Sequence, residues 1–436
     1  MAKRANISRD AARFPVKSFE PSPLLIGVAA LFSATLPLET MAFSTGDGHQ
    51  SISLVPGILL ATVYLAQVFM LRGATFVSMV VVLAFVLALW GLLSVLWSAE
   101  PEASLSWTRK LITTIPMIWV VSSSATTRRA RDWMFGGYAL GACIGAVGTV
   151  VSGISGEVYR GQSSRFSWAS QDPNALAVSI AVALPIVFFL LGRRPTPIYR
   201  LGLIAAVPIL LLGIFTTGSR TGLIAAALAL ATGVLIVWKR SRIGGVSVGI
   251  ALAIAFPILM QSANSGATQR MSDIGSQLTE LDFSGRGQIW GAGAGVALQD
   301  PIVGQGAGTF PYAVSAVFGQ PTASHNIFLS LQVELGVVGV LLMLMILGFA
   351  GLSSGRISGE GLLWVGLGLT WLCGGLTLTM TLEKLTWWLI AMASAGTLML
   401  RMRRRQASGS AVPGADPYAT SGRMESDSIS GKPSTV

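Results

Sequence analysis

The sequence predicts an all-α, polytopic membrane protein with about twelve transmembrane helices and a large helical extracytoplasmic loop. Two observations carry this. Of 436 residues, 52% are hydrophobic and only 11% are charged, where a soluble globular protein carries about 25% charged. The apolar residues also fall in runs of the length that crosses hydrocarbon, about 20 residues each. Mean hydropathy is +0.66. A soluble domain of this length could not hide so much apolar surface, which excludes a water-soluble enzyme and a disordered chain.

Twelve runs follow one another, at about 22–43, 52–71, 74–97, 105–124, 133–152, 173–192, 198–217, 221–238, 243–261, 325–350, 361–380 and 385–400. The first follows a charged segment, as in a signal peptide, but no small-residue cleavage pattern comes after Pro37, so it reads as an uncleaved span. The fourth starts near Arg109 and Lys110 and is the most polar. The last is short, with Trp387 and Trp388 as interfacial anchors.

Basic residues orient the chain. With a cytoplasmic N-terminus, 22 of the 30 Lys and Arg residues lie inside, as the positive-inside rule requires. Omitting the 105–124 span would put Arg128, Arg129 and Arg131 outside, so it is kept. The net charge of +11 is therefore mostly topological and does not argue for nucleic acid. Residues 1–21 form a basic cytoplasmic N-terminus. Residues 401–436 read as a cytoplasmic tail, disordered because its Ser, Gly and Pro have no apolar periodicity. Cys143 and Cys373 lie inside apolar runs and make no disulfide framework. With His49 and His325 the only histidines, no His-rich metal site and no cofactor are expected.

The outer face keeps Arg109, Lys110, Arg160, Arg165, Arg220, Arg270, Arg286 and Lys384. One outer loop is long, 262–324. Within it Ser284 can cap a helix beginning near Arg286, and Asp300-Pro301 stops it. Gly304, Gly306 and Gly308 then give a closely approachable backbone. The plain reading is an amphipathic helix on the bilayer surface.

Arg220 lies at the predicted start of a span. A helix N-terminus carries partial positive charge, so an arginine there suits a nearby anion; the plain alternative is an arginine reaching lipid headgroups. Arg160 and Arg165 occupy another outer loop. Asp172 after it reads as an N-cap before Pro173, and Asn174 as a polar group at a cavity. If the arginines at 160/165, 220 and 286 converge, they would hold a diphosphate. His325, at an outer helix start, can accept a proton near neutral pH, or else cap or line the interface. Glu334, a carboxylate inside a span, marks a cavity or bundle interior, with a structural role first. Arg270 reads as a solvated charge and His49 as incidental.

Taken together, Gly218-Ser219-Arg220-Thr221-Gly222, Gly285-Arg286, Ile289-Trp290, the run from Pro301 through Gly304, Gly306 and Gly308 to Phe310, and His325-Asn326 with Val333-Glu334-Leu335-Gly336 resemble, in order, the bacterial O-antigen ligase and polymerase family. Asp172-Pro173-Asn174 and Trp97-Ser98 with Glu102 support it more loosely. Gln305 departs from a plain glycine run. The resemblance implies a core at 205–350 including the outer loop, flanked by transmembrane helices at 22–204 and 351–400. It implies glycosyl transfer on the outer face of a bacterial inner membrane, from an undecaprenyl diphosphate glycan to lipid A–core (ligase) or to another lipid-linked glycan (O-antigen or exopolysaccharide polymerase). It carries over Arg220, Arg286 and His325 as catalytic, with Arg160, Arg165, Asn174 and Asn326 as substrate-binding residues. No metal is needed if arginines stabilise the leaving diphosphate, and attack opposite the diphosphate would invert the anomeric centre. A helical cap is expected over a lateral opening for the lipid. The rival classes are a lipid-linked glycan flippase, which would use polar groups along a midplane cavity, and a non-catalytic assembly partner. The sequence leaves ligase and polymerase undivided.

Overall fold

The computed structural model describes residues 19–39, 42–45, 48–71, 76–159, 165–193, 196–247, 249–250 and 286–410. Arg160, Arg270, Ser284, Gly285, positions 251–261 of the ninth run, 262–285 of the long loop and the terminal segments 1–18 and 411–436 lie outside them.

The helices in chain order are α1 (Pro23–Thr35, continued by a 3-10 turn at Leu36–Leu38), α2 (Leu54–Leu71), α3 (Met79–Leu93), α4 (Pro101–Ser124), α5 (Arg128–Ile154), α6 (Pro173–Leu191), α7 (Pro197–Thr217), α8 (Arg220–Trp238), α9 (Arg286–Ala297), α10 (Phe310–Ala313), α11 (Ser315–Phe318), α12 (Ile327–Ser354), α13 (Gly361–Gly375) and α14 (Lys384–Ser410). Side-chain caps from Ser22, Ser78, Thr127, Asp172, Ser219 and Asn326 start α1, α3, α5, α6, α8 and α12. Prolines open α1, α4, α6 and α7, where a missing N–H costs nothing.

Among the described residues seven helices are long and apolar enough to cross a membrane, and three shorter apolar helices join them. Helix α4 belongs to neither group. Its 24 residues are long enough, at 1.5 Å each, but it is more polar. The protein is thus a multi-pass helical membrane protein. Large apolar side chains such as Phe69 and Met70 face outward at 82% and 83% exposure; in water these would be aggregation sites, and in a bilayer they are lipid contacts. Helices α6 and α14 are the most enclosed, 78% and 72% buried over their apolar windows. Helix α6 packs against α5, α7, α8 and α13 and is the axis of the bundle.

Two expected boundaries are corrected. The first run does not continue to 43. Its helix ends at Leu38, and the chain turns into an antiparallel pair, β1 (Ala42–Thr45) and β2 (Gly48–Ser51), with Ala42 opposite Ser51. Glu39 explains the stop: its carboxylate leaves the helix line to pair with Lys384. At the other end, α14 runs to Ser410, so residues 401–410 of the expected tail are helical.

Connectivity puts the starts of α6, α8, α12 and α14 at one end of the bundle and those of α5, α7 and α13 at the other. The second end is closed by buried charge. Glu360 Oε1 accepts from Arg131 Nε at 3.1 Å and from Arg193 Nη2 at 3.0 Å, and Arg193 also faces Asp132 at 3.4 Å. Arg131 and Arg193, counted from sequence as orienting charges, are also the clasp between α5 and the turns after α6 and α12.

Close packing is set by small residues. Gly137 and Gly141, four apart on α5, lie against the backbone carbonyls of Ala30 and Ala34 on α1, the small-xxx-small spacing that lets membrane helices touch. A side chain at Gly141 would meet that backbone, so Gly141→Leu is expected to cost at least about 1–3 kcal/mol from overpacking. Thermal unfolding in detergent measures it. Gly202→Ala, where a methyl meets nothing within 4 Å, should stay at or above wild type.

Candidate functional site

Four helix N-termini meet at the end opposite the Glu360 clasp. Asp172 caps α6, its Oδ1 accepting from the amides of Asn174 (2.9 Å) and Ala175 (3.0 Å), as the sequence indicated. The Oδ1 of Asn174 accepts from Arg165 Nη2 at 2.7 Å and from Ser219 Oγ at 2.8 Å. Ser219 is itself the cap of α8, so one amide oxygen ties the starts of α6 and α8 to an arginine. Arg220 is the first residue of α8 and Arg286 the first of α9. Asp172 and Arg165 both act electrostatically on Arg286, which brings the third N-terminus in. Burial lowers the Arg286 pKa from its ordinary value, with Asp172 opposing and Arg165 adding to the shift; a guanidinium remains charged regardless. Partial positive helix ends plus guanidinium groups make an anion-favouring region.

The fourth N-terminus is that of α12, and His325 stands one residue before its cap. His325 has φ +50°, a left-handed conformation that is uncommon outside glycine and clusters at functional positions. The strained turn is held from both sides. Thr379 Oγ1 accepts the His325 amide at 3.1 Å and shares a 3.0 Å hydrogen bond with Ser324 Oγ. Trp290 of α9 donates to the Ser324 carbonyl at 3.1 Å, linking the Arg286 helix directly to the histidine turn. Burial first, then the charge of Arg286, lower the His325 pKa below its ordinary value, with Asp172 opposing. Both influences favour the neutral imidazole, the form able to accept a proton. Asn326, expected to bind substrate, has its Oδ1 occupied in capping α12 through the amides of Phe328 and Leu329.

The glycine run has a different task from cradling a ligand. Helix α12 opens at Gly336 (φ +65°, ψ −166°), and the run docks into that opening. The Gln305 amide donates to Val333 O at 2.8 Å, that of Gly306 to Glu334 O at 2.9 Å, and that of Val337 to Pro301 O at 2.9 Å. Trp97 Nε1 donates to Gly304 O (3.0 Å), Trp90 Nε1 to Leu335 O (3.1 Å) and the Ala307 amide to Ser94 Oγ (2.9 Å). Trp97 and Ser98, part of the looser resemblance, are therefore the floor on which this loop sits. Glu334 is buried, takes the Ser330 hydroxyl at 2.9 Å and faces the amides of Gly308 and Phe310. It is structural.

Beside His325 lies a cavity of about 190 Å³ whose lining includes Glu39, Gln171, Asp172, Thr379 and Glu383. Sequence reading missed Glu39, Gln171 and Glu383. Glu39 was placed inside the first span, and Gln171 was passed over beside Asp172. The adjacent pair Glu383-Lys384 at the outer start of the last span was the available signal. Lys384 Nζ pairs with Glu39 and donates to Ser51 and Ser53 at 2.8 Å each. Burial first, then the neighbouring Glu39, push Glu383 up to about 7.

The architecture is that of a multi-pass membrane protein with an anion-favouring, histidine-bearing site at one end of its helices. Residues 205–344, about a third of the chain, match the model of the family described as O-antigen ligase. A comparison with curated proteins finds no match. The matched segment resembles an O-antigen ligase, and the apolar helices make the protein a multi-pass membrane protein. Arg220, Arg286 and His325 lie inside the matched segment, whereas Arg165, Asp172 and Asn174 come from the helices before it.

Gly336 tests the loop anchor. Its backbone conformation is nearly exclusive to glycine, at about 1–3 kcal/mol for other residues, and a methyl there would strike the Ile302 carbonyl. Gly336→Ala is expected to release the 300–310 segment, read as faster proteolytic cleavage there while the transmembrane helices stay folded.

Proposed function

We propose that the protein transfers a glycan from a polyprenyl (undecaprenyl) diphosphate donor to a hydroxyl acceptor on the outer face of a bacterial inner membrane, as an O-antigen ligase does. The N- and C-termini would then be cytoplasmic. The observation that carries this is the gathering of Arg165, Asn174 with Ser219, and Arg286 around His325, at the positive ends of four helices. Arg220 and Arg286 are assigned to the diphosphate, with Arg165 as a further phosphate ligand or as the group that orients Asn174. Arg160 is assigned the same role on sequence alone. The functional unit is 205–350 with its outer loop 262–324, supported by the helices of 22–204 and 351–400.

In the proposed step the acceptor oxygen attacks the anomeric carbon, and the bond from that carbon to the diphosphate oxygen breaks with its electron pair. The acceptor proton passes to the neutral imidazole of His325, and the polyprenyl diphosphate departs with its charge spread over guanidinium groups and helix N-termini. Charge stabilisation of this kind needs no metal, and attack from the side opposite the diphosphate inverts the centre. Polymerase chemistry differs in the acceptor alone and is the nearest alternative. Transport is disfavoured because Glu334, the carboxylate that suggested a midplane pathway, is engaged by Ser330 and the glycine loop.

The test is transfer by purified protein, with EDTA present, from an undecaprenyl diphosphate glycan to lipid A–core or to a second lipid-linked glycan, read by mass. Product on lipid A–core names a ligase, and longer lipid-linked chains name a polymerase. Arg220→Ala and Arg286→Ala should each lower kcat by about 10²–10³, and His325→Ala by about 10²–10⁴ with donor binding kept. Donor binding without transfer to either acceptor would overturn both enzymatic readings.

The pH profile gives a separate check. A lowered His325 pKa means the base form persists to pH values below the ordinary 6.5, so kcat/KM should fall on acidification with its midpoint below that value. Asp172→Asn should move the midpoint lower still, because the Asp172 charge raises the histidine pKa. A midpoint above 6.5 would contradict the assignment of His325 as the base.

A further inference from the structure

The cavity beside His325 differs in character from the arginine side. Among the described residues no arginine lines it. Its charged groups are Asp172, Glu39 and Glu383, and the nearby Lys384 is already paired to Glu39. Gln171 is 1% exposed, and among the described residues neither its amide oxygen nor its amide nitrogen has a hydrogen-bond partner. The Oε2 of Glu39 is likewise buried without one. Unsatisfied buried amides are rare in folded proteins and call for an explanation. The rest of the wall includes apolar Pro37, Leu176, Leu378 and Met380.

An amide that can donate and accept, carboxylates that accept hydroxyl pairs, and an apolar wall for C–H faces together suit a sugar ring. They do not suit a diphosphate, for which the lining offers acceptors and, among the described residues, no arginine. We propose that this cavity is the acceptor subsite, that Gln171 binds adjacent hydroxyls of the accepting sugar, and that the subsite selects an uncharged or amino sugar over a uronic acid or phosphorylated one. This rests on the transferase reading above. It places the acceptor hydroxyl against His325 on the face away from Arg286. Gln171 is a binding residue, and the acidic residues set specificity.

The variant Gln171→Met keeps the volume and removes the amide. Loss of a group with no partner in the fold should leave the thermal midpoint equal or higher, a response that a structural glutamine would not give. Gln171→Asn serves as a second variant should Met fail to fold. The probes are alkyl glycosides sharing one chain and bearing glucose, glucosamine or glucuronic acid. Their direct binding is measured by saturation-transfer NMR, and their use as acceptors with an undecaprenyl diphosphate glycan. The wild type should bind and use the glucoside and glucosaminide at least tenfold better than the glucuronide. Gln171→Met should raise the acceptor KM at least tenfold, with donor binding unchanged and kcat within about threefold; Glu383→Gln should narrow the discrimination against glucuronide. Wild-type transfer with acceptor KM unaltered in Gln171→Met, or with the glucuronide preferred, overturns the subsite and leaves the transferase reading standing. Gln171-dependent sugar binding without any transfer keeps the subsite and overturns the transferase reading. Absence of both binding and transfer overturns both.

Discussion

One amide oxygen organises the His325 end of the bundle. The Oδ1 of Asn174 receives Arg165 and Ser219 together, and Asn174 stands in the first turn of α6, the most enclosed helix of the bundle. A group so placed cannot shift without shifting the axis of the fold. Ser219 in turn begins α8, so the direction in which Arg220 leaves its helix follows from the same contact. Asp172, one turn away at the cap, faces Arg286 and His325. The anion-favouring region is therefore built outward from that enclosed helix, with Arg286 of α9 joined to it through Asp172 and Arg165.

The two ends of the bundle treat charge in opposite ways. At the Glu360 end, arginines and carboxylates are paired within 3.0–3.4 Å and shut away. A buried charge network of that kind fixes geometry and contributes little net stability, because desolvation offsets the attraction. At the His325 end Arg286 is acted on by both Asp172 and Arg165, and Lys384 pairs with Glu39, while the helix N-termini gathered there favour an anion. The transferase proposed above would need this end to take an anionic lipid-linked donor and a neutral polyhydroxyl acceptor, with His325 acting between them.

Much of this was legible in the sequence. Hydrophobic runs marked α2 to α8 and α12 to α14 because a bilayer demands long apolar segments, and Asp172-Pro173 marked the start of α6 because cap and proline have local meaning. Arg220 and Arg286 were legible as helix-start arginines for the same reason. The tie between Arg165 and the starts of α6 and α8 was not, since it depends on an Asn174–Ser219 contact between positions 45 apart. Gln171 was invisible because its significance is the absence of a partner. The glycines were read as a closely approachable backbone, and what they approach is α12: the sequence announces that backbone will come close to something, and only the fold says to what.

The broken helix and the docked loop need one another. A membrane helix can leave its regular path only where the freed backbone groups find other partners. At Gly336 those partners come from the loop, through Gln305, Gly306 and Pro301, with Trp90 and Trp97 sealing the joint. The loop in turn has little apolar core of its own, a small cluster around Phe310, Val314 and Val333, so its position is fixed mainly by the opening it fills. The same α12 that receives the loop begins at Asn326 beside His325, and the same loop carries Arg286 on a helix tied to Ser324 by Trp290. The arginine and the histidine thus hold a fixed relation through two connections to one helix, its start and its break. That double attachment ties α9, with Arg286 at its start, to both ends of the first stretch of α12.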